Sequence, residues 1–229
     1  MYVDGALTMR THITHVLSSC YSALRQIRSI MPSLSSHALN ALVTAPVHSR
    51  VVHSRLDYCN VVFASLPACD IQRLQSVLNT AVRLVAGSSR RDHAFSLLHD
   101  RHWLPVKQRV EYKLCMMVHR CLYGDAPSYL LDQITSSADA TVRGGLRSAA
   151  SSTVAVPRTM PSLGDRSFAA AGPCAWNRLP PPLRRIHSAA VFERQLKTFL
   201  FDRALTETTL LGALVVLWHL RRPNLDVLA

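Results

Sequence analysis

Three sets of side chains in this 229-residue chain have types and spacings that could do chemistry. The first is Cys115, His119 and Cys121, which could present two thiols and an imidazole near one helical turn, the donor types that zinc takes. Cys115 and Cys121 also fall on an apolar stripe, and no fourth ligand follows at metal spacing. Core packing is therefore the preferred reading, and no metal or other cofactor is expected. The second set is the pool of Ser, 11 His and 14 acids, which is large enough to give Ser/His/Asp trios by chance, so none counts as a triad without geometry. There is no Gly-rich phosphate loop, no His-Glu-x-x-His and no nucleophile elbow. No catalytic residue is assigned, and an enzyme is not expected.

The third set is basic: Arg83, Arg90, Arg91, Arg101, Lys107, Arg109, Lys113 and Arg120. Lys and Arg hold phosphates through charge and counterion release, which gives affinity with little sequence choice. Arg109 and Lys113 lie four apart, on one helix edge that could follow a polynucleotide backbone. Trp103 and Tyr112 are rings that could stack on bases, although Trp103 beside Leu104 reads more naturally as a core anchor. Each cation also has a plain reading as part of a solvated face.

Composition supports a polyanionic partner. The chain carries 26 Lys+Arg against 14 Asp+Glu, a net charge of +12, with a sequence pI near 10.1. That surplus costs self-repulsion in a compact state and points to RNA or DNA first and an anionic membrane surface second. Compositional drift in an Arg-rich coding sequence is the competing explanation. Hydrophobic residues make up 48% and charged residues 17%, as in globular chains rather than solvated tails. Six cysteines with no cationic-then-apolar leader suggest a reducing compartment and free thiols. The longest apolar run, Leu210 to Leu220, is interrupted by Gly212 and His219. It falls short of the ~20 residues a bilayer needs, so it reads as a core helix or a docking surface.

Helices must position these groups. Ile13, Leu17, Cys20, Leu24, Ile27 and Met31 alternate steps of four and three, which predicts an amphipathic helix over 12–31 with Arg25 and Arg28 outward and Pro32 ending it. A second helix is expected after Ser35, disturbed by Pro46 and by a tandem repeat, Val47-His48-Ser49-Arg50-Val51 followed by Val52-His53-Ser54-Arg55-Leu56. Five residues advance a helix by ~500°, so the two copies cannot keep one face inward. Ile71, Leu74, Val77/Leu78, Ala81/Val82 and Val85 predict a third helix from Asp70 to Ala86 with Gly87 as its stop. A fourth opens at Trp103-Leu104-Pro105-Val106 and closes at Gly124. Beyond residue 134 the texture becomes Ser, Ala, Gly, Arg and Pro, which reads as a basic, loop-rich connector with a short strand at Thr153 to Val156. A last amphipathic helix is expected from Ala190 to Arg203, with a Glu193–Lys197 pair outward.

Several ordered segments resemble a known family. They are Ser54-Arg55-Leu56-Asp57-Tyr58-Cys59-Asn60, Leu74-Gln75-Ser76-Val77-Leu78-Asn79 with Arg83-Leu84-Val85, and Leu98-His99 through Trp103-Leu104-Pro105-Val106. Further along are Gly164-Asp165-Arg166-Ser167-Phe168, Ala171-Gly172-Pro173 with Trp176-Asn177 and Leu179-Pro180, and Phe192 with Leu196-Lys197-Thr198-Phe199-Leu200-Phe201. Together they resemble the jockey-like, non-LTR (LINE-type) retrotransposon reverse transcriptases, in order and roughly in spacing, over residues 3 to 201. The resemblance implies the region after the catalytic palm: a helical thumb, then a C-terminal segment. It implies partners too, namely an RNA or DNA backbone and, in full-length relatives, the palm domain of the parent polymerase. Nuclear residence within the cell follows from the family's need to reach chromosomal DNA.

Departures from the family bear on activity. Polymerisation there needs adjacent palm aspartates to hold two cations, and no Asp-Asp pair occurs in this chain. The endonuclease and a Cys-rich zinc knuckle are absent, and residues after 201 match nothing recognised. With the repeat at 47–56, this suggests a decayed or fragmentary copy that is polymerase-inactive alone. The expected architecture is mainly α: a thumb-like helical region over 1–134, a basic loop-rich connector over 135–189, and a helix with an unmatched tail over 190–229. A helical protein-interaction module that uses the apolar tail, or a translated remnant without function, are the alternatives.

Overall fold

The computed structural model describes residues 9–33, 57, 60–89, 91–124, 126–134, 152–159 and 164–220, without the side chains of 60 and 210–220. The fold is mainly α. The expected helix after Ser35, the repeat at 47–56 and the segments around 135–151 lie outside the described residues.

Helix α1, Arg10–Ile30, buries Ile13, Val16, Leu17, Cys20 and Leu24, the stripe that its spacing predicts. Its cap, Met9, is buried and left-handed with φ 63, a conformation that costs a non-glycine residue about 1–2 kcal/mol. Helix α2, Ala68–Ala86, turns Leu74, Val77, Leu78, Ala81, Val82 and Val85 onto α1. It stops where Gly87 takes φ 63, with Gly87 N–H donating to Leu84 O and Ser88 N–H to Arg83 O. This closes a Schellman turn over the last carbonyls.

The helix that follows, α3, Ala94–Asp100, was not expected from sequence. It ends with the same turn, made by His102 at φ 54: His102 N–H donates to His99 O and Trp103 N–H to Leu98 O. Helix α4, Val106–Tyr123, starts just after Pro105, whose missing N–H costs nothing there. The amide Oε1 of Gln75 accepts the Val106 N–H at 2.8 Å, a side-chain cap supplied by α2. Gly124, at φ 94, ends α4 as expected.

The stretch read as a loop-rich connector needs correcting. After a short helix α5, Ser128–Leu131, it contains α6, Phe168–Asn177, and the single turn α7, Pro181–Arg184. The alanine-rich α6 crosses α4 so closely that a Cβ on Gly172 would meet Val118 Cγ2 at 3.0 Å. Packing of this kind holds a helix that carries Gly172 and Pro173 against its own propensity. The strand expected at Thr153 to Val156 is reduced to a single bridge residue, Val154. Its N–H and C=O are both taken by the Asn177 side-chain amide, at 3.0 and 2.8 Å. Trp176, fully buried, donates its Nε1–H to Ser152 O at 3.0 Å.

The last helix, α8, Ala189–Leu220, runs well past the expected end at Arg203. Phe192, Leu196 and Leu200 face the core as the periodicity requires. No Glu193–Lys197 pair forms; the Glu193 carboxylate instead accepts the Tyr112 hydroxyl at 2.9 Å. Across the α4–α8 contact, Arg203 makes a two-pronged pair with Glu111, with Nη1 donating to Oε1 at 2.8 Å. One apolar core joins α1, α2, α4, α6 and α8.

Candidate nucleic-acid interface

The eight basic residues fall into two groups with different surroundings. Arg83, in the last turn of α2, donates from Nε and Nη2 to Asp92 O at 3.3 and 3.0 Å. This ties the 88–92 loop to the helix end. Arg91 in that loop is exposed. Arg101, half-buried, reaches back to Val85 O at 3.5 Å. Three of the expected cations thus gather at the C-terminal end of α2, where unpaired helix carbonyls favour positive charge. Arg90 lies outside the described residues.

The second group is compensated within the fold. Arg109 and Lys113 do share one edge of α4, but both turn onto Asp57. Arg109 Nε and Nη2 donate to its two oxygens at 2.5 and 2.7 Å, and Lys113 Nζ lies 3.7 Å from Oδ2. The Arg109 and Asp57 side chains are only 11% and 13% exposed. A planar fork closed on a carboxylate in this way has little left for a phosphate, so Arg109 is a structural residue. Lys107, one turn earlier, pairs with Glu207 of α8 at 3.0 Å. Arg120 is exposed in the last turn of α4.

The Arg83 end of α2 borders a groove against α1 of about 450 Å³, lined by Tyr21, Arg28, Ser76, Asn79, Thr80, Arg83 and Ser88. Two guanidinium groups, one from each helix, face a lining of hydroxyls and an amide with no carboxylate in it. Tyr21 Oη and Ser76 Oγ hydrogen-bond across the helices at 2.8 Å, which fixes the floor. Thr80 and Ser76 hydroxyls bond back to α2 carbonyls, and Gln75 donates to Asn79 Oδ1. Arg28, exposed on the outer face of α1, was read from sequence only as solvated. Its partner across the groove is 55 residues away, and no local spacing signals that.

The aromatic candidates separate as well. Trp103 is buried in the core and has no face for a base. Tyr112 is half-buried; burial first, then the hydrogen bond to Glu193, pushes its phenol well above the ordinary value of 10.0. The zinc candidates are core residues. Cys115 is fully buried, and burial holds its thiol protonated, with Glu111 adding to the effect. Burial also raises the Cys121 thiol, and His119 Nε2 is 2.9 Å from Ile186 O. Among the described residues no group of three or more His, Cys, Asp or Glu is placed to hold a metal. Among them, too, no helix is long and apolar enough to cross a membrane.

No protein-family model, curated protein or solved structure matches the chain. The class that fold and site define is therefore a physical one: a mainly helical, strongly basic chain with an acid-free, two-arginine groove.

Proposed function

We propose that this chain binds RNA or DNA along the phosphate backbone with little sequence choice, and that it is a C-terminal, post-palm part of a LINE-type reverse transcriptase. The observation that carries the binding is the groove between α1 and α2. Arg28 and Arg83 approach it from opposite walls with no acid between them. Arg91 and Arg101 extend positive charge past its Arg83 end. A backbone phosphate there would take charge-assisted hydrogen bonds from guanidinium and hydroxyl donors, while the bases stay unread.

The chain would grip a template–primer duplex without extending it, since it carries no adjacent aspartates to hold two cations. In full-length relatives the palm domain would be its partner and the nucleus its compartment. The test pairs two readouts on the purified chain. Fluorescence anisotropy with labelled RNA and DNA of unrelated sequences should give similar, salt-sensitive affinities, and primer extension should give no product. Flat isotherms at low salt would end the binding reading, and labelled nucleotide added to a primer would end the inactive one.

A second reading, a helical protein-interaction module, is favoured by one feature: α8 continues as unbroken helix through the apolar run to Leu220. Deleting 210–220 would then abolish partner capture while leaving nucleic-acid binding intact. The third, a remnant without function, expects no cooperative melt by circular dichroism.

A further inference from the structure

The carboxylates buried in this fold have their counter-charges. Asp70 is met by Arg73 at 3.2 Å, and Glu111 by Arg203. Arg184 is the contrast. The residue is only 5% exposed, and its Nε and Nη1 are enclosed with no hydrogen-bond partner. It closes α7, held in place through its backbone: Arg184 O accepts the Tyr123 hydroxyl at 3.1 Å, and two residues on Ile186 O meets His119 Nε2. Both anchors come from the same face of α4, so the α7 turn cannot swing out without breaking two bonds to that helix. Leu183 beside it is buried in the core.

The surroundings are basic. Arg185 follows directly and is exposed; its charge, after burial itself, works against the charged form of Arg184. His187 lies with its ring 4.7 Å from Tyr123. A guanidinium enclosed with two unmet donors is costly unless an anion arrives to take them. The fork of Nε and Nη nitrogens is the geometry that oxyanions accept in parallel bonds.

We propose that Arg184, with Arg185 and His187 at its rim, forms a socket for a phosphate-class oxyanion at the junction of α4 and α7. A phosphate suits it better than a single carboxylate because the socket offers two guanidinium charges, and a phosphate carries between one and two negative charges near neutral pH. The socket stands apart from the α1–α2 groove and shares no residue with it, so either can fail without the other.

The experiment uses the full chain with inorganic phosphate against chloride at matched ionic strength. At phosphate tenfold above the dissociation constant, the melting temperature should rise by about 4 °C, given the linkage relation and the usual entropy of a domain this size. Arg184→Leu should remove that increment and raise the melting point in chloride, because the enclosed unmet donors are gone. Arg185→Ala should shrink the increment without that basal gain. If Arg184→Leu fails to fold, equilibrium dialysis of the unaltered chain with radiolabelled phosphate decides: about one bound per chain supports the socket, and none overturns it. A dinucleotide carrying only an internal phosphodiester separates the sources. A shift with it assigns the socket to a nucleic-acid backbone, and a shift with inorganic phosphate alone assigns it to free phosphate. No phosphate-specific rise, or an equal rise in Arg184→Leu, would overturn the proposal.

Discussion

Replacing Arg109 by alanine removes both prongs of its pair with Asp57 and strands a carboxylate that is 13% exposed. Lys113 remains, but at 3.7 Å and on a side chain that is 42% exposed, so it compensates only in part. Removing one partner of a buried pair costs roughly 3–5 kcal/mol, and the residual exposure with Lys113 in place argues for the lower end, about 3 kcal/mol. For a chain of this size that is a fall of about 10 °C in melting temperature. The double variant with Asp57→Ala should recover part of the loss, since neither charge is then left unpaired. Nucleic-acid affinity should stay within about twofold in the single variant at a temperature where it is folded, because Arg109 offers no free fork to phosphate. The assays are a thermal melt and an anisotropy titration on the same preparation. An unchanged melt combined with a large loss of affinity would refute the reasoning and return Arg109 to the binding surface.

Other consequences follow from the same contacts. Gly172→Ala should lose about 1–3 kcal/mol in urea unfolding, since the new methyl meets Val118 and Phe168 at 3.0 Å across the α4–α6 crossing. His102→Gly should gain about 1 kcal/mol in the same assay by relieving the left-handed backbone at φ 54. The Tyr112 phenol is raised by burial and by Glu193, so its contribution to stability is fully present below its ordinary value of 10.0 and is lost as pH rises above that. Absorbance of the Tyr112 phenolate, taken as the difference from a Tyr112→Phe variant, should therefore appear only with unfolding, and an early titration near pH 10 in the folded chain would contradict it.

The sequence announces the elements whose signals are local. The stripe of α1, the stripe and glycine stop of α2, and the Pro105 opening and Gly124 close of α4 all lie within a few turns of chain. What it hides depends on tertiary contact. Helix α6 carries Gly172 and Pro173, both poor helix formers, and exists because Trp176, Ala171 and Gly172 seat against the core. Helix α3 is only seven residues long and buries just Ala94 and Leu98, too little for a periodic signal. The candidate site divides in the same way. That Arg83, Arg109 and Lys107 are cations is plain from sequence, but which of them stays available is decided by acids far along the chain. Asp57 lies 52 residues from Arg109, and Glu207 lies 100 from Lys107. Arg28 joins the site only because α1 and α2 pack side by side.

The central claim is that the α1–α2 groove holds nucleic-acid phosphates, and the salt dependence of binding tests it most directly. For a single-stranded oligonucleotide, each neutralised phosphate contributes about 0.7 to the slope of log affinity against log salt. Replacing Arg28 and Arg83 together by alanine should therefore flatten the slope by about 1.4 and weaken binding alike for all sequences, with the melting temperature little changed. A slope and affinity equal to those of the unaltered chain would place the binding elsewhere and contradict the account.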